Sequence, residues 1–256
     1  MTDSSFRLFQ IIEYLAKSKD WVSLRIMSRD LHISAAAVYR MLTSLEEIGY
    51  VRQHPEDSKY QLTLKIAWIS AQVLDNIQLR SVAHPFMTEL ATLTNETTHL
   101  AVLQDTEFVY IDKVDHSQSI RMRSRIGQRG KLICTAVGKS ILAFLPPDEL
   151  ERVLSHLKFE ANTPNTITDV TKFREHLCLV REQGYAVDDE ENEVGIRCLG
   201  APIFDHMGEL AGAMSISGWT ISMTPERVLN LAPELISVCM KISRELGYNG
   251  SKQEER

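Results

Sequence analysis

The residue types and spacings able to do chemistry are concentrated in the second half of the chain. In Ile133-Cys134-Thr135-Ala136-Val137-Gly138-Lys139, Thr135 stands where a helix should begin. The N–H groups of Ala136, Val137 and Gly138 are then free to point at an anion, and the helix dipole adds to the attraction. That is a site for a carboxylate. Cys198 and the alternating pair Ser215 and Ser217 fall on strand-like segments and point toward one face, where a thiol and two hydroxyls can hold the remaining polar atoms of a small molecule. The run Asp188-Asp189-Glu190-Glu191 reads first as a solvated turn and only second as a cation site. Asp188 stays a candidate because it lies closest to the strand. Taken singly, each of these residues reads first as core filler.

Signatures of catalysis are missing. Gly138-Lys139-Ser140 invites a phosphate-loop reading, but the motif needs glycine where Ile133 stands. Ser155-His156-Leu157-Lys158 matches S-x-x-K without its companion elements and reads as a solvated helix end. No H-E-x-x-H or G-x-S-x-G occurs. Cys134, Cys178, Cys198 and Cys239 are far apart, with no C-x-x-C pair, so free thiols are expected. No catalytic residue, metal site or cofactor is assigned.

The elements that must position these residues alternate strand and helix patterns. Strand-like segments are THLAVLQ, EFVYIDKVD, SIRMRSR, YAVDDE, CLGAPIFD and ELAGAMSIS; helix-like ones are ICTAVGKSILAFL, PDELERVLSHL, TDVTKFREHLCLVREQG and the closing PERVLNLAPELISVCMKISRELG. This is a mainly antiparallel sheet flanked by helices, spanning 85–249 before a polar tail at 250–256. Upstream, 64–83 reads as one continuous helix with a break expected near His84 because Pro85 follows. A linker over 64–84 results, whose Ile66, Ile69, Val73 and Ile77 suit a dimer seam or a plain core face.

Residues 1–63 have a different pattern. Phe6, Phe9, Ile12 and Leu15 lie on roughly one helical face; Ser23 can cap a second helix carrying Leu24, Met27 and Leu31. After the turn His32-Ile33-Ser34, a third helix opens at Ala35 with an inward stripe of Val38, Met41, Leu42, Leu45 and Ile48, and stops at Gly49. YVRQ and YQLTL then read as a hairpin around HPEDSK. Three helices and a hairpin make a winged helix-turn-helix, in which the third helix enters the major groove and the wing reaches the adjacent backbone. Ser34, Tyr39, Arg40 and Thr43 can donate to phosphates or base edges, Ala36 and Ala37 permit close approach, and Lys59 sits on the wing. Tyr39 also suits a half-buried packing role, and Arg40 a pairing with Glu46 or Glu47.

Composition neither demands nor forbids this reading. The net charge is -6, but residues 1–63 hold eight basic and eight acidic side chains, so the deficit falls on the remainder. The N-terminus has acidic and polar residues where a secretory signal carries a basic and then an apolar segment, and a cytoplasmic location is expected.

In combination, VYRMLTSLEEIGYV with KYQLTLK, and FVYIDKVD, SRIGQRGKLICTAVGKSILA, REQGYAVDDEENEVGIRCLGAPIFD and GAMSISG, resemble the IclR family of bacterial regulators over essentially the whole chain. Within it, THLAVL, RMRSRIG and YIDKVD are similar to the regulators that respond to 2-keto-3-deoxygluconate. The resemblance implies an α+β architecture with a GAF-like effector domain, dimers that pair into tetramers, and control, often repression, of genes for catabolism of small acids. Carried over by motif, the pocket uses the Ala136 and Val137 amides, Asp188, Cys198, Ser215 and Ser217. The start of the third helix departs from the family's S-K-S-T-V: it reads Ser34-Ala35-Ala36-Ala37-Val38, which leaves more of the DNA contact to Tyr39 and Arg40.

The functional expectation is a DNA-binding repressor of sugar-acid catabolism genes whose operator affinity is set by a small carboxylate such as a 2-keto sugar acid. Two alternatives belong to other classes: an enzyme acting on a small keto acid or sugar acid with the N-terminal helices as a docking module, and a non-DNA interaction protein assembling through the linker.

Overall fold

The computed structural model describes residues 4–75, 78–116 and 124–250. Its contacts divide the chain into Met1–Asn76 and Ile77–Arg256. Among the described residues no helix is long and apolar enough to cross a membrane.

The first unit holds helices α1 (Ser4–Lys17), α2 (Leu24–Asp30) and α3 (Ala35–Glu47), the hairpin β1 (Val51–Gln53) and β2 (Tyr60–Leu62), and α4 (Lys65–Asp75). Ser23 and Ser34 cap α2 and α3, accepting from the N–H of Ile26 and Ala37. His32 takes a left-handed φ of 54° in the turn between those helices, and Ile33 is buried there. Val38, Met41, Leu42 and Leu45 enter the core as expected, whereas Ile48 caps α3 and stays exposed. In α1 the expected face is displaced: Phe6 and Phe9 are exposed, and Ile11 and Leu15 are buried with Leu8 and Ile12 packed beside them. The stripes 6-9-12-15 and 8-11-12-15 are both helical in period, and packing selected the second.

The second unit begins with α5 (Gln78–Thr94). The break expected near His84 is absent, because Pro85 sits on the helix's exposed side while Leu79, Ala83, Met87 and Leu90 carry the buried side past it. The domain boundary therefore precedes α5 and is not at residue 84. Asn76, Ile77, Ser117, Gln118 and the 119–123 part of the expected SIRMRSR strand lie outside the described residues, as do positions 251–256 of the polar tail.

Strands β3 (Thr97–Gln104), β4 (Glu107–Val114), β5 (Arg129–Gly130), β6 (Ala186–Asp189), β7 (Ile196–Phe204) and β8 (Leu210–Trp219) form one antiparallel sheet in the order β5-β4-β3-β8-β7-β6. Helices α6 (Ala136–Phe144), α7 (Pro147–Leu154), α8 (Val170–Gln183) and α9 (Pro225–Glu245) complete the unit. Leu100, Leu199, Met214 and Ile216 pack with α5 and α9 on one face of the sheet. Ala101, Phe108 and Ala213 pack with α6 and α8 on the other. The candidate ligand residues belong to the α6 face.

Candidate ligand site and nucleic-acid interface

Strand register brings the sequence-derived candidates together. Asp188 pairs with Cys198, Cys198 with Ser217, and Ser217 with Thr97. Directly opposed residues share a face, so these four form a row across β6, β7, β8 and β3. The next row holds Gly200, Ser215 and His99. A Cβ on Gly200 would lie 2.7 Å from the carbonyl carbon and oxygen of Ala136 and 3.0 Å from Ser140 Oγ. Only glycine admits the helix so close, and the start of α6 therefore rests on β7 at Gly200, opposite Ser215 and two residues from Cys198.

Thr135 is the N-cap of α6, with φ -120° and ψ 148°, and its Oγ1 accepts from the Gly138 N–H at 3.2 Å. This corrects one expectation: the Gly138 amide is already satisfied and is not a free donor. Gly138 serves packing instead, since a Cβ there would meet the Leu132 carbonyl oxygen at 2.4 Å. The N–H groups of Ala136 and Val137 remain, with no carbonyl in the preceding turn to reach. Both residues are buried, so an anion seated there would satisfy donors that water does not reach freely.

Asp188 is buried, and its Oδ1 accepts from the N–H groups of Glu191 at 2.8 Å and Asn192 at 3.2 Å. Burial pushes its pKa up to about 7, against the opposing pull of Lys139 and those two N–H groups. Sequence reasoning missed the neighbouring pair. Lys139 is wholly buried and donates to the Glu191 carboxylate and the Val187 carbonyl, while Glu191 Oε2 is buried with no partner. The acidic run is thus dispersed: Asp189 pairs with Arg197 at 2.6 Å and Glu190 accepts from the Gly195 N–H at 2.7 Å. Among the described residues no group of three or more His, Cys, Asp or Glu side chains is arranged to hold a metal ion.

His99 was also missed. Its Nδ1 lies 3.4 Å from Ser217 Oγ and its Nε2 2.7 Å from Ser124 Oγ. Burial lowers its pKa to about 3, so the ring is neutral, one nitrogen donating and the other accepting. Burial pushes the Cys198 thiol up and the Cys134 thiol up to about 12, so both are protonated and suited to packing or weak hydrogen bonding rather than nucleophilic attack. Elsewhere in this unit, Phe144, Leu177, Phe204, Ile236 and Tyr248 help to line an open depression of about 790 Å³, to which none of the candidate ligand residues contributes.

In the first unit, Ala36, Tyr39 and Arg40 are exposed on α3. Among the described residues Arg40 has neither an ion pair nor a hydrogen bond, so it is not held by Glu46 or Glu47. Thr43 Oγ1 donates to the Tyr39 carbonyl at 3.0 Å, which leaves it an acceptor, and the Ser34 hydroxyl is engaged as a cap. Ala37 does not stand on the outer face: it is 7% exposed, within the core beside Val38. On the hairpin, Lys59 Nζ lies 2.6 Å from Asp57, so its charge is shared, whereas Arg52 stacks over the Trp21 ring at 5.0 Å.

Two family models match the chain: an IclR helix-turn-helix domain over residues 5–55 and a bacterial transcriptional regulator IclR C-terminal domain over residues 71–244. The HTH-type transcriptional regulator KdgR of Escherichia coli is 37% identical over 246 residues, 96% of this chain and 93% of that protein. The Transcriptional repressor IclR of Escherichia coli is 29% identical and covers 96% of this chain and 90% of its own length. Among solved structures, the Thermotoga maritima IclR superposes with a TM-score of 0.85 at 38% identity, covering 97% of this chain and all of that one.

Proposed function

The chain belongs to the IclR family of bacterial transcriptional regulators, DNA-binding proteins and not enzymes, and from that premise we propose that it represses genes of sugar-acid catabolism and that a small 2-keto or hydroxy acid controls its hold on the operator. The supporting observation is the pair of N–H groups at the buried residues Ala136 and Val137, which have no acceptor among the described residues and lie where α6 rests on Gly200, opposite Ser215. A carboxylate bonds to those amides. Asp188, Cys198, Ser215 and Ser217 surround the rest of the molecule and read its oxo and hydroxyl groups. In the first unit, Tyr39 and Arg40, with Ala36 between them and the cap, form the part of α3 that meets the duplex. Ser34 and Thr43 contribute acceptor oxygens, and Lys59 follows the backbone from the wing. The chain acts as a homodimer or homotetramer in the cytoplasm.

The test is calorimetry with a panel of sugar acids on the wild type, Asp188→Ala and Ser217→Ala. The wild type binds one of the acids, and each variant binds it at least about tenfold more weakly, the scale of a lost hydrogen bond to a charged group. Equal heats in all three proteins remove these residues from the site.

A further inference from the structure

Alternation along β4 places Asp112 opposite Leu100, on the α5 face of the sheet. Continued without interruption, it would put Tyr110 on that same face. A register shift between Leu100 and Ala101 intervenes, so that Tyr110 pairs with Ala101 while Ile111 remains on the α5 side. Such a bulge re-aims a side chain. Tyr110 is turned onto the α6 face, where its ring lies 4.8 Å from that of His99 at 34° and 4.9 Å from that of Phe108 at 66°. These two rings fix its direction.

The ring therefore lies against His99, whose Nδ1 is 3.4 Å from Ser217 Oγ, on the face that also carries Cys198 and Asp188; burial raises the pKa of its hydroxyl. That hydroxyl has no hydrogen-bond partner among the described residues, yet the residue retains partial exposure despite lying beneath α6. Cys198, on β7 of the same face, is likewise part-exposed. An unpartnered, largely covered phenol is a donor awaiting an acceptor.

We infer that Tyr110 is a ligand-contact residue: its hydroxyl donates to an oxygen of the bound acid beside His99 and Ser217, on the face shared with Asp188 and Cys198. The inference rests on the carboxylate-site reading above. It also specifies the ligand's chemistry. With the Ala136 and Val137 amides and the phenol all donating, the site selects a molecule with acceptor oxygens on adjacent carbons, as in a 2-keto acid.

The test is isothermal calorimetry of full-length wild type and Tyr110→Phe with 2-keto-3-deoxygluconate, together with the near-ultraviolet tyrosine difference spectrum on adding that acid. Phenylalanine keeps the ring packing, and unchanged thermal unfolding of the variant verifies this. A loss of affinity of about tenfold or more, with disappearance of the difference spectrum, is the expected result. Wild-type affinity and spectrum in Tyr110→Phe overturn the inference alone. A wild type that binds neither 2-keto-3-deoxygluconate nor any other acid of the calorimetric panel above overturns the carboxylate-site reading and this inference with it.

Discussion

At the scale of single residues, the candidate ligand site is a balance between burial and hydrogen bonding, and Asp188 shows the balance most clearly. Its carboxyl has an ordinary pKa of 3.8 and titrates at about 7 in the fold. Across that interval the native protein holds a proton that the unfolded chain has released, so the group's contribution to stability is complete below about 3.8 and is lost as the pH rises to about 7. Asp188→Asn cannot ionise. Its unfolding temperature should therefore fall less between those pH values than that of the wild type; parallel profiles would mean that Asp188 does not titrate in this range. Cys198, Ser215 and Ser217 are legible as a group because strand alternation sets which way they point, and Asp188 because it is the residue of the acidic run nearest the strand; register then puts Asp188, Cys198 and Ser217 in one row. Tyr110 and His99 are not legible. Tyr110 depends on a bulge with no signature in EFVYIDKVD, and His99 has the pattern of any half-buried strand residue until its register with Ser215 is known. Lys139 and Glu191 were hidden for another reason: 52 residues separate them, and only the fold brings the ammonium to the carboxylate.

At the scale of elements, helix periods and caps carried most of the information. Ser23, Ser34, Thr135, Asp169 and Thr224 each cap a helix by accepting from a backbone N–H. Thr135 exposes the limit of such reasoning, since the hydroxyl that marks the helix start also consumes the Gly138 donor. Pro85 does not stop α5 because the rule concerns the lost hydrogen bond, and on an exposed helix side water can satisfy the freed carbonyl. In α3, four of the five positions expected to face inward do so, which turns Arg40 outward with no partner among the described residues. Arg40→Ala is expected to weaken operator binding about tenfold and to lower the slope of log affinity against log salt by about one, with the thermal unfolding of the protein unchanged. Fluorescence anisotropy over a series of salt concentrations reads both quantities, and an unaltered slope would remove Arg40 from the phosphate contacts.

At the scale of the whole molecule, a DNA-binding unit and a ligand-binding unit share one chain, and regulation requires that their equilibria be linked. A ligand shifts operator affinity only if it binds the DNA-competent and DNA-incompetent forms with different strength. Linkage of this kind is reciprocal, so operator DNA must alter the affinity for the acid by the same factor. The direct measurement is operator affinity with and without the acid that calorimetry selects, for wild type and Asp188→Ala side by side. Wild-type affinity should change by at least about fivefold, the lower end of typical coupling, and that of the variant should stay the same at the same acid concentration. Identical wild-type affinities with and without saturating acid would contradict the assignment of this chain as a ligand-controlled regulator.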